Sequence, residues 1–113
     1  MIGKNNPLNV RYNHLNNWLG QIGQTRGFCD FDTLEHGIRA AAYLLIRSYA
    51  KKGAKSYAHK IELFAPPSGN DTNRYVDFVC GVCNVFPWDY PETLEDYRDM
   101  ICAMSRIGKC ASS

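Results

Sequence analysis

Apolar residues recur at helical spacing between residues 32 and 51, in the sequence DTLEHGIRAAAYLLIRSYAK. This spacing predicts a long amphipathic helix with one apolar face in the core. Asp32 is placed to cap the start of this helix with Glu35 reaching back to it, and Lys51-Lys52-Gly53 predicts its end. The residues expected to face the core are Leu34, Ile38, Ala41, Ala42, Leu45, Ile46 and Tyr49.

The pattern predicts three shorter helices downstream. The first covers Ser56–Phe64 and stops at Pro66-Pro67. The next begins at the capping sequence Asn70-Asp71-Thr72, runs to about Phe86 and is expected to bury Tyr75, Val76, Val79, Val82 and Cys83. Pro91 opens the last helix, Glu92–Ile107, in which Leu94, Tyr97, Ile101 and Met104 are expected to face inward.

Residues 1–31 have a different character, because asparagine dominates the first 17 positions and glycine punctuates the next. Asparagine favours loops, and short extended segments separated by glycine predict a β-hairpin. The chain is therefore predicted to be a single small α+β domain, mostly α, over residues 1–113. Its parts are an Asn-rich loop and hairpin (1–31) and about four helices (32–108).

Net charge and the distribution of apolar residues limit the kinds of partner that the protein can bind. A net charge of +2, with no basic run longer than Lys51-Lys52, argues against nucleic acid as a partner. The chain has neither an apolar signal segment nor an apolar run of about 20 residues, so we expect no membrane association. We expect the protein in the cytoplasm of the cell that makes it, or associated with a virion.

Cysteine and carboxylate side chains are the candidates for chemistry. Cys80-Gly81-Val82-Cys83 lies within a predicted helix, so buried free thiols are favoured over a redox or zinc site, and we expect no metal or cofactor. Glu35 and Asp71 both stand where helices begin. Capping is favoured over catalysis for both, because a helix N-terminus stabilises the carboxylate, whereas a glycosidase acid needs a raised pKa.

The Asn-rich loop leaves two interpretations open. Amides, a guanidinium group and aromatic rings together are the groups that hold sugars, and the loop offers them at Asn5, Asn6, Asn9, Arg11, Tyr12 and Trp18. The same amides could equally satisfy the backbone of a buried loop.

Two stretches carry a resemblance to a known group of proteins. The sequence NNPLNVR at residues 5–11, followed by WLGQ at 18–21, resembles a pattern in small bacteriophage and prophage virion proteins. GFCDF at 27–31, GIRA at 37–40 and APPSGNDT at 65–72 extend the match over most of residues 5–79. More distantly, the order of these motifs is similar to lysozyme-like glucosaminidases and lytic transglycosylases.

This resemblance implies a lysozyme-like domain with a groove facing peptidoglycan or a related glycan. Its loop positions carry over as substrate-binding residues, to which Tyr12 and Tyr75 are added as neighbouring rings. The full set is Asn5, Asn6, Asn9, Arg11, Tyr12, Trp18, Asn70, Thr72 and Tyr75. If the protein cleaves glycosidic bonds, Glu35 would donate the proton and Asp71 would stabilise the oxocarbenium-like centre.

The departures from the lysozyme-like pattern keep a second function open. In those enzymes the catalytic glutamate ends a helix before the NN loop, and here only residues 1–4 precede that loop. The phage-type pattern tends to have an acidic residue where this chain has Gly69. The alternative is a non-catalytic virion or interaction protein that contacts phage structural proteins or a host protein through the same scaffold.

Overall fold

The computed structural model describes residues 2–67 and 71–112, with side chains up to residue 106. The described chain forms one two-stranded antiparallel sheet and four helices, one of which changes its winding. The strands are β1 (Gln21–Thr25) and β2 (Phe28–Phe31). The long helix comprises α1 (Leu34–Tyr43), a π-helical segment (Leu44–Ser48) and α2 (Tyr49–Lys51). The others are α3 (Tyr57–Phe64), α4 (Thr72–Cys83) and α5 (Leu94–Ser112).

This architecture confirms the predicted α+β class, mostly α, with a short hairpin. β1 and β2 are joined by Arg26-Gly27, both with positive φ, which is the backbone that a tight hairpin turn requires. The segment before the hairpin adds only one bridge, between Arg11 and Phe28, rather than a full strand.

The Asn-rich loop lies against β2 and the start of α1. Asn5 donates from Nδ2 to the carbonyl oxygens of Phe31 and Asp32, at 3.1 and 3.2 Å. The carbonyl of Asn5 approaches Gly37 so closely that a Cβ at Gly37 would collide with it. Glycine at position 37 therefore lets the backbone of the loop approach the long helix closely.

The core lies between the long helix, α4 and α5, with β2 at one end. α5 packs against both α4 and α1. The largest fully buried apolar side chains are Phe31, Leu45, Ile61, Met100, Met104, Val10 and Val79. Their burial provides the main favourable free energy of folding, at about 25 cal/mol per Å² of apolar surface removed from water.

Several predicted helix details are wrong. The N-cap of α1 is Thr33, whose hydroxyl accepts from the His36 N–H, because the Asp32 carboxylate pairs with the His36 imidazole instead. α4 ends at Cys83, where Asn84 adopts the left-handed conformation, rather than at Phe86. α5 begins at Leu94 and continues past residue 107 to Ser112.

Four residues assigned to the core are exposed instead. Val82 has 44% of its surface exposed because it lies to one side of the buried row of α4. Leu94 is 81% exposed, Leu34 44% and Ile38 36%. The last three share one surface, which is described below.

The π-helical segment was not predicted, and it contacts an unexpected buried cation. The Lys60 side chain, 2% exposed, donates from Nζ to the carbonyl oxygen of Leu45 at 2.7 Å and lies 5.6 Å from the Tyr97 ring centre. Burial lowers the pKa of Lys60. The ammonium group thus links α3 to the long helix where its winding changes.

Candidate functional site

An open groove runs between the long helix and α5. Its volume is about 620 Å³, and the Asn-rich loop contributes Pro7 and Leu8 to its lining. The long helix lines it with Leu34, Ile38, Ala42 and Ile46, and α5 lines it with Leu94, Tyr97, Arg98, Ile101, Cys102 and Ser105. We call this surface the α1/α5 groove.

The long helix has two neighbouring apolar rows, and only one of them is fully buried in the core, whereas the other packs against the core through Ala42 and Ile46 and is exposed at Leu34 and Ile38. The buried row is Gly37, Ala41, Leu45 and Tyr49. The row beside it is Leu34, Ile38, Ala42 and Ile46, which faces the groove. The prediction merged the two rows into one stripe. The sequence does contain a signal for this second surface. Its apolar positions form two adjacent rows at four-residue spacing, which is a wider arc than one row needs.

The lining of the α1/α5 groove is almost wholly apolar. Polar side-chain atoms come only from α5, at Tyr97, Arg98, Cys102 and Ser105. A saccharide needs several convergent hydrogen-bonding groups, whereas an apolar helix needs rows of aliphatic side chains. The groove is suited to the second kind of occupant.

The two candidate catalytic carboxylates stand at the starts of different helices. Glu35 is an exposed residue in the first turn of α1, outside the groove lining. Asp71 is exposed and accepts from the Arg74 N–H at 3.3 Å as the N-cap of α4. No hydrogen bond or ion pair among the described residues joins them. Neither lies among the apolar groups that a glycosidase acid requires.

The amides of the Asn-rich loop bind backbone. Asn6 is fully buried, donates to the carbonyl oxygens of Val10 and Cys29 at 3.0 and 2.9 Å, and accepts from the Val10 N–H at 2.8 Å. Asn9 accepts from the Ile2 N–H at 3.2 Å. Together with the hydrogen bonds of Asn5, these contacts fit the second of the two interpretations, in which the amides satisfy the backbone of the loop. A side chain as buried as Asn6 presents no surface to a ligand.

Two of the other predicted contact residues remain on the surface. Arg11 is exposed, with its guanidinium carbon 5.2 Å from the centre of the Phe28 ring. Tyr12 beside it is 41% exposed. Trp18 is half-buried and packs edge to face on Tyr43, with ring centres 5.6 Å apart.

The predicted contact residues near α4 are separate from the loop. Thr72 is buried and donates to the carbonyl oxygen of Ala65 at 2.6 Å. Tyr75 donates to the carbonyl oxygen of Met104 at 3.4 Å, and burial raises its pKa to about 12. Both hydroxyls therefore hold helices together. Asn70 lies outside the described residues, so the structure says nothing of its predicted role.

The cysteines of the CxxC sequence lie along α4, as predicted. Cys80 is buried and Cys83 half-buried, and both are free thiols. Burial, followed by the nearby thiol of Cys83, raises the pKa of Cys80 to about 11. A thiol with such a pKa is protonated near neutrality and unreactive. In the described chain, no three His, Cys, Asp or Glu side chains are placed to share a metal ion.

A carboxylate–imidazole pair that the sequence analysis missed lies between the hairpin and α1. Asp32 Oδ1 and His36 Nδ1 are 2.6 Å apart. Both side chains lie against Gly20, where a Cβ would collide with them. The hydrogen bond to His36 holds the pKa of Asp32 below its usual range. The pair fixes the entry into the long helix.

Comparison with known proteins gives one informative similarity. The chain is 36% identical over 105 residues to Protein P5 of Pseudoalteromonas phage PM2. The alignment includes 88% of this chain but only 64% of the phage protein, so this chain spans less than two thirds of that relative's length. No family model matches the sequence. The similarity supports a bacteriophage-associated protein, in agreement with the phage-type motifs, whereas the likeness to lysozyme-like enzymes stays a prediction.

Proposed function

We propose that this chain works in a bacteriophage as an interaction protein whose α1/α5 groove binds an amphipathic helix of another phage protein. The observation that carries this proposal is the apolar groove, with Leu34, Ile38 and Leu94 between 36% and 81% exposed. Leaving such residues in water is unfavourable, and contiguous exposed apolar surface marks interaction sites.

The length of the groove favours a helix over a small ligand. From Leu34 to Ile46 the groove-facing row spans thirteen residues of helix, which is twelve steps of about 1.5 Å or about 18 Å. Three turns of a partner helix would match this length and could place side chains between the rows of the long helix and α5.

The test compares two aspartate substitutions in the phage that encodes the chain. Ile38→Asp puts a charge in the groove, while Ile22→Asp puts the same charge on β1, where the side chain is already 58% exposed. We expect Ile38→Asp to lower the amount of chain recovered with purified particles by at least about tenfold, since a charge in an apolar interface costs more than the 1.4 kcal/mol that a factor of ten represents.

Ile22→Asp should leave that amount unchanged. Equal recovery of both variants, with circular dichroism showing both folded, would remove the groove from the proposal.

A second candidate is the glycan-facing protein that the motif resemblance implies, with or without cleavage. It is favoured by Arg11 and Tyr12, which remain exposed at the edge of the hairpin where a sugar could reach them. Cleavage would require Glu35 in the first turn of α1 and Asp71 at the N-cap of α4, which are exposed positions on separate helices.

Turbidity of a peptidoglycan suspension separates the two candidates. Under the interaction proposal we expect Glu35→Gln and Asp71→Asn to leave the turbidity trace identical to that of the wild type. Asn caps helices as well as Asp does, so the second variant should keep α4 intact. Clearing by the wild type that either variant abolishes while remaining folded would establish the glycosidase instead.

A further inference from the structure

The turn between α4 and α5 displays three aromatic side chains in water. Phe86, Trp88 and Tyr90 are 60%, 68% and 57% exposed. The rings of Phe86 and Trp88 are stacked, with centres 4.8 Å apart and planes only 5° from parallel. Aromatic rings of this size normally bury most of their surface, so three within five residues form an unusual exposed patch. We call residues 85–90 the aromatic turn.

Hydrogen bonds among the residues of the aromatic turn, and from the turn to the end of α4, hold its backbone in place. The Asp89 carboxylate accepts from the Phe86 N–H at 2.7 Å, and the Asp89 N–H donates to the Phe86 carbonyl at 3.0 Å. The Val85 N–H donates to the carbonyl oxygen of Cys80 at 3.0 Å, which ties the turn to the end of α4.

The aromatic turn is also bonded to α3. The Tyr57 N–H donates to the Asp89 carbonyl and the Ala58 N–H to the Pro87 carbonyl, both at 2.9 Å. The turn thus occupies N–H groups at the start of α3, which otherwise would lack partners. A surface fixed in this way loses little conformational entropy when a ligand binds.

The charge around the aromatic turn selects among ligands. Residues 75–97 contain five carboxylates, and the nearest cations along the chain are Arg74 and Arg98, of which Arg98 pairs with Glu95 at 3.6 Å. The carboxylates belong to Asp77, Asp89, Glu92, Glu95 and Asp96. An anionic ligand, whether nucleic acid, phosphate or an acidic lipid surface, would be repelled. A neutral ligand with an apolar face for the rings, and with hydroxyl groups that donate to nearby carboxylates, fits this surface.

We propose that the aromatic turn is a saccharide-binding platform for a neutral, β-linked pyranose chain. A β-linked pyranose has its hydroxyls at the rim and a flat face of C–H groups, whose partial positive charge suits the negative face of an aromatic ring. The outer face of Trp88 stacks on the sugar, and Phe86 supports the indole from behind. The platform lies at the α4–α5 connection and does not depend on the α1/α5 groove.

The probes are N,N′,N″-triacetylchitotriose and cellotriose, titrated into the full ¹⁵N-labelled chain up to about 20 mM, because single stacking sites bind in the millimolar range. We expect amide shifts centred on residues 85–90. Trp88→Ala should weaken binding at least about tenfold, whereas Trp88→Phe should keep most of it because a ring face remains. Leu15→Ala, which removes an 80% exposed apolar side chain elsewhere, should bind like the wild type.

Two outcomes would overturn this proposal. One is the absence of shifts at the aromatic turn with either trisaccharide, in a chain whose spectrum shows it folded. The other is binding that Trp88→Ala leaves intact. A parallel arm with phosphatidylcholine vesicles identifies the competing role: partition that Trp88→Ala abolishes, without any saccharide shift, would make the turn a membrane-interface contact.

Discussion

At the residue scale, the asparagines of the N-terminal loop determine how the loop is held. The Asn6 side chain satisfies two carbonyl groups and one N–H in a fully buried position. Leaving buried backbone groups without partners costs about 1–3 kcal/mol each, so one amide stabilises the whole junction between loop and β2. The sequence showed an asparagine-rich loop but could not tell which amides point inward, because that depends on the tertiary position of β2.

Replacing this amide gives a direct test at the same scale. We expect Asn6→Ala to lower the free energy of unfolding by about 3 kcal/mol, since it removes partners from Val10 and Cys29 at once. Asn16→Ala, at an exposed loop position, should change it by less than about 0.5 kcal/mol. Urea denaturation followed by fluorescence measures both, and similar values for the two variants would contradict a structural role for Asn6.

At the scale of elements, the helices and the hairpin could be predicted. The exact start of the long helix, the end of α4 and the π-helical segment could not. Ser56 caps α3 and Asp71 caps α4 as their sequences indicate, because a side-chain cap is a local interaction. The start of the long helix differed because His36 competes for Asp32, a contact between side chains one turn apart. The π-helical segment is bonded at the Leu45 carbonyl by Lys60 from another helix, and no local sequence pattern contains that contact.

The start of α5 is an element whose stability should depend on pH. The Asp96 carboxylate accepts from the N–H groups of Glu92 and Thr93 at 2.9 and 3.1 Å, and these two bonds hold its pKa below the usual value of 3.8. A carboxyl whose pKa is lower in the folded state adds stability above its unfolded pKa and loses it as pH falls through the folded value.

We therefore expect Asp96→Ala to lower Tm at pH 7 and the difference from the wild type to shrink towards pH 3. Asp99→Ala, three residues along the same helix and exposed, is the matched control. Thermal melts across this range measure both. A difference that stayed constant with pH would show that the carboxylate of Asp96 does not carry the cap.

At the scale of the whole molecule, the apolar positions of the sequence form an open groove as well as a core. The prediction placed Leu34, Ile38 and Leu94 inside because a helix stripe in a small domain usually has one core to cover. The structure shows that the long helix covers a core with one row and lines an open groove with the next. Sequence periodicity could reveal that the arc was wide, but only the position of α5 decides which row is left open.

The apolar lining makes the α1/α5 groove a poor place for a glycan to bind. The Asn-rich loop does form a concave surface with the long helix, through Pro7 and Leu8, but the lining is apolar. No helix in the described chain is long and apolar enough to cross a membrane. The aromatic turn lies at a different connection and offers the rings that a sugar needs.

In the function we propose, the α1/α5 groove holds a helix of another phage protein. The most direct measurement places a photo-crosslinking amino acid at Ile38, or at exposed Leu15 as control, and irradiates cells assembling the phage. We expect one dominant adduct from position 38, to a phage-encoded segment with apolar residues at spacings of three and four. Adducts no stronger than those from position 15, or adducts only to lipid or to a second copy of this chain, would contradict it.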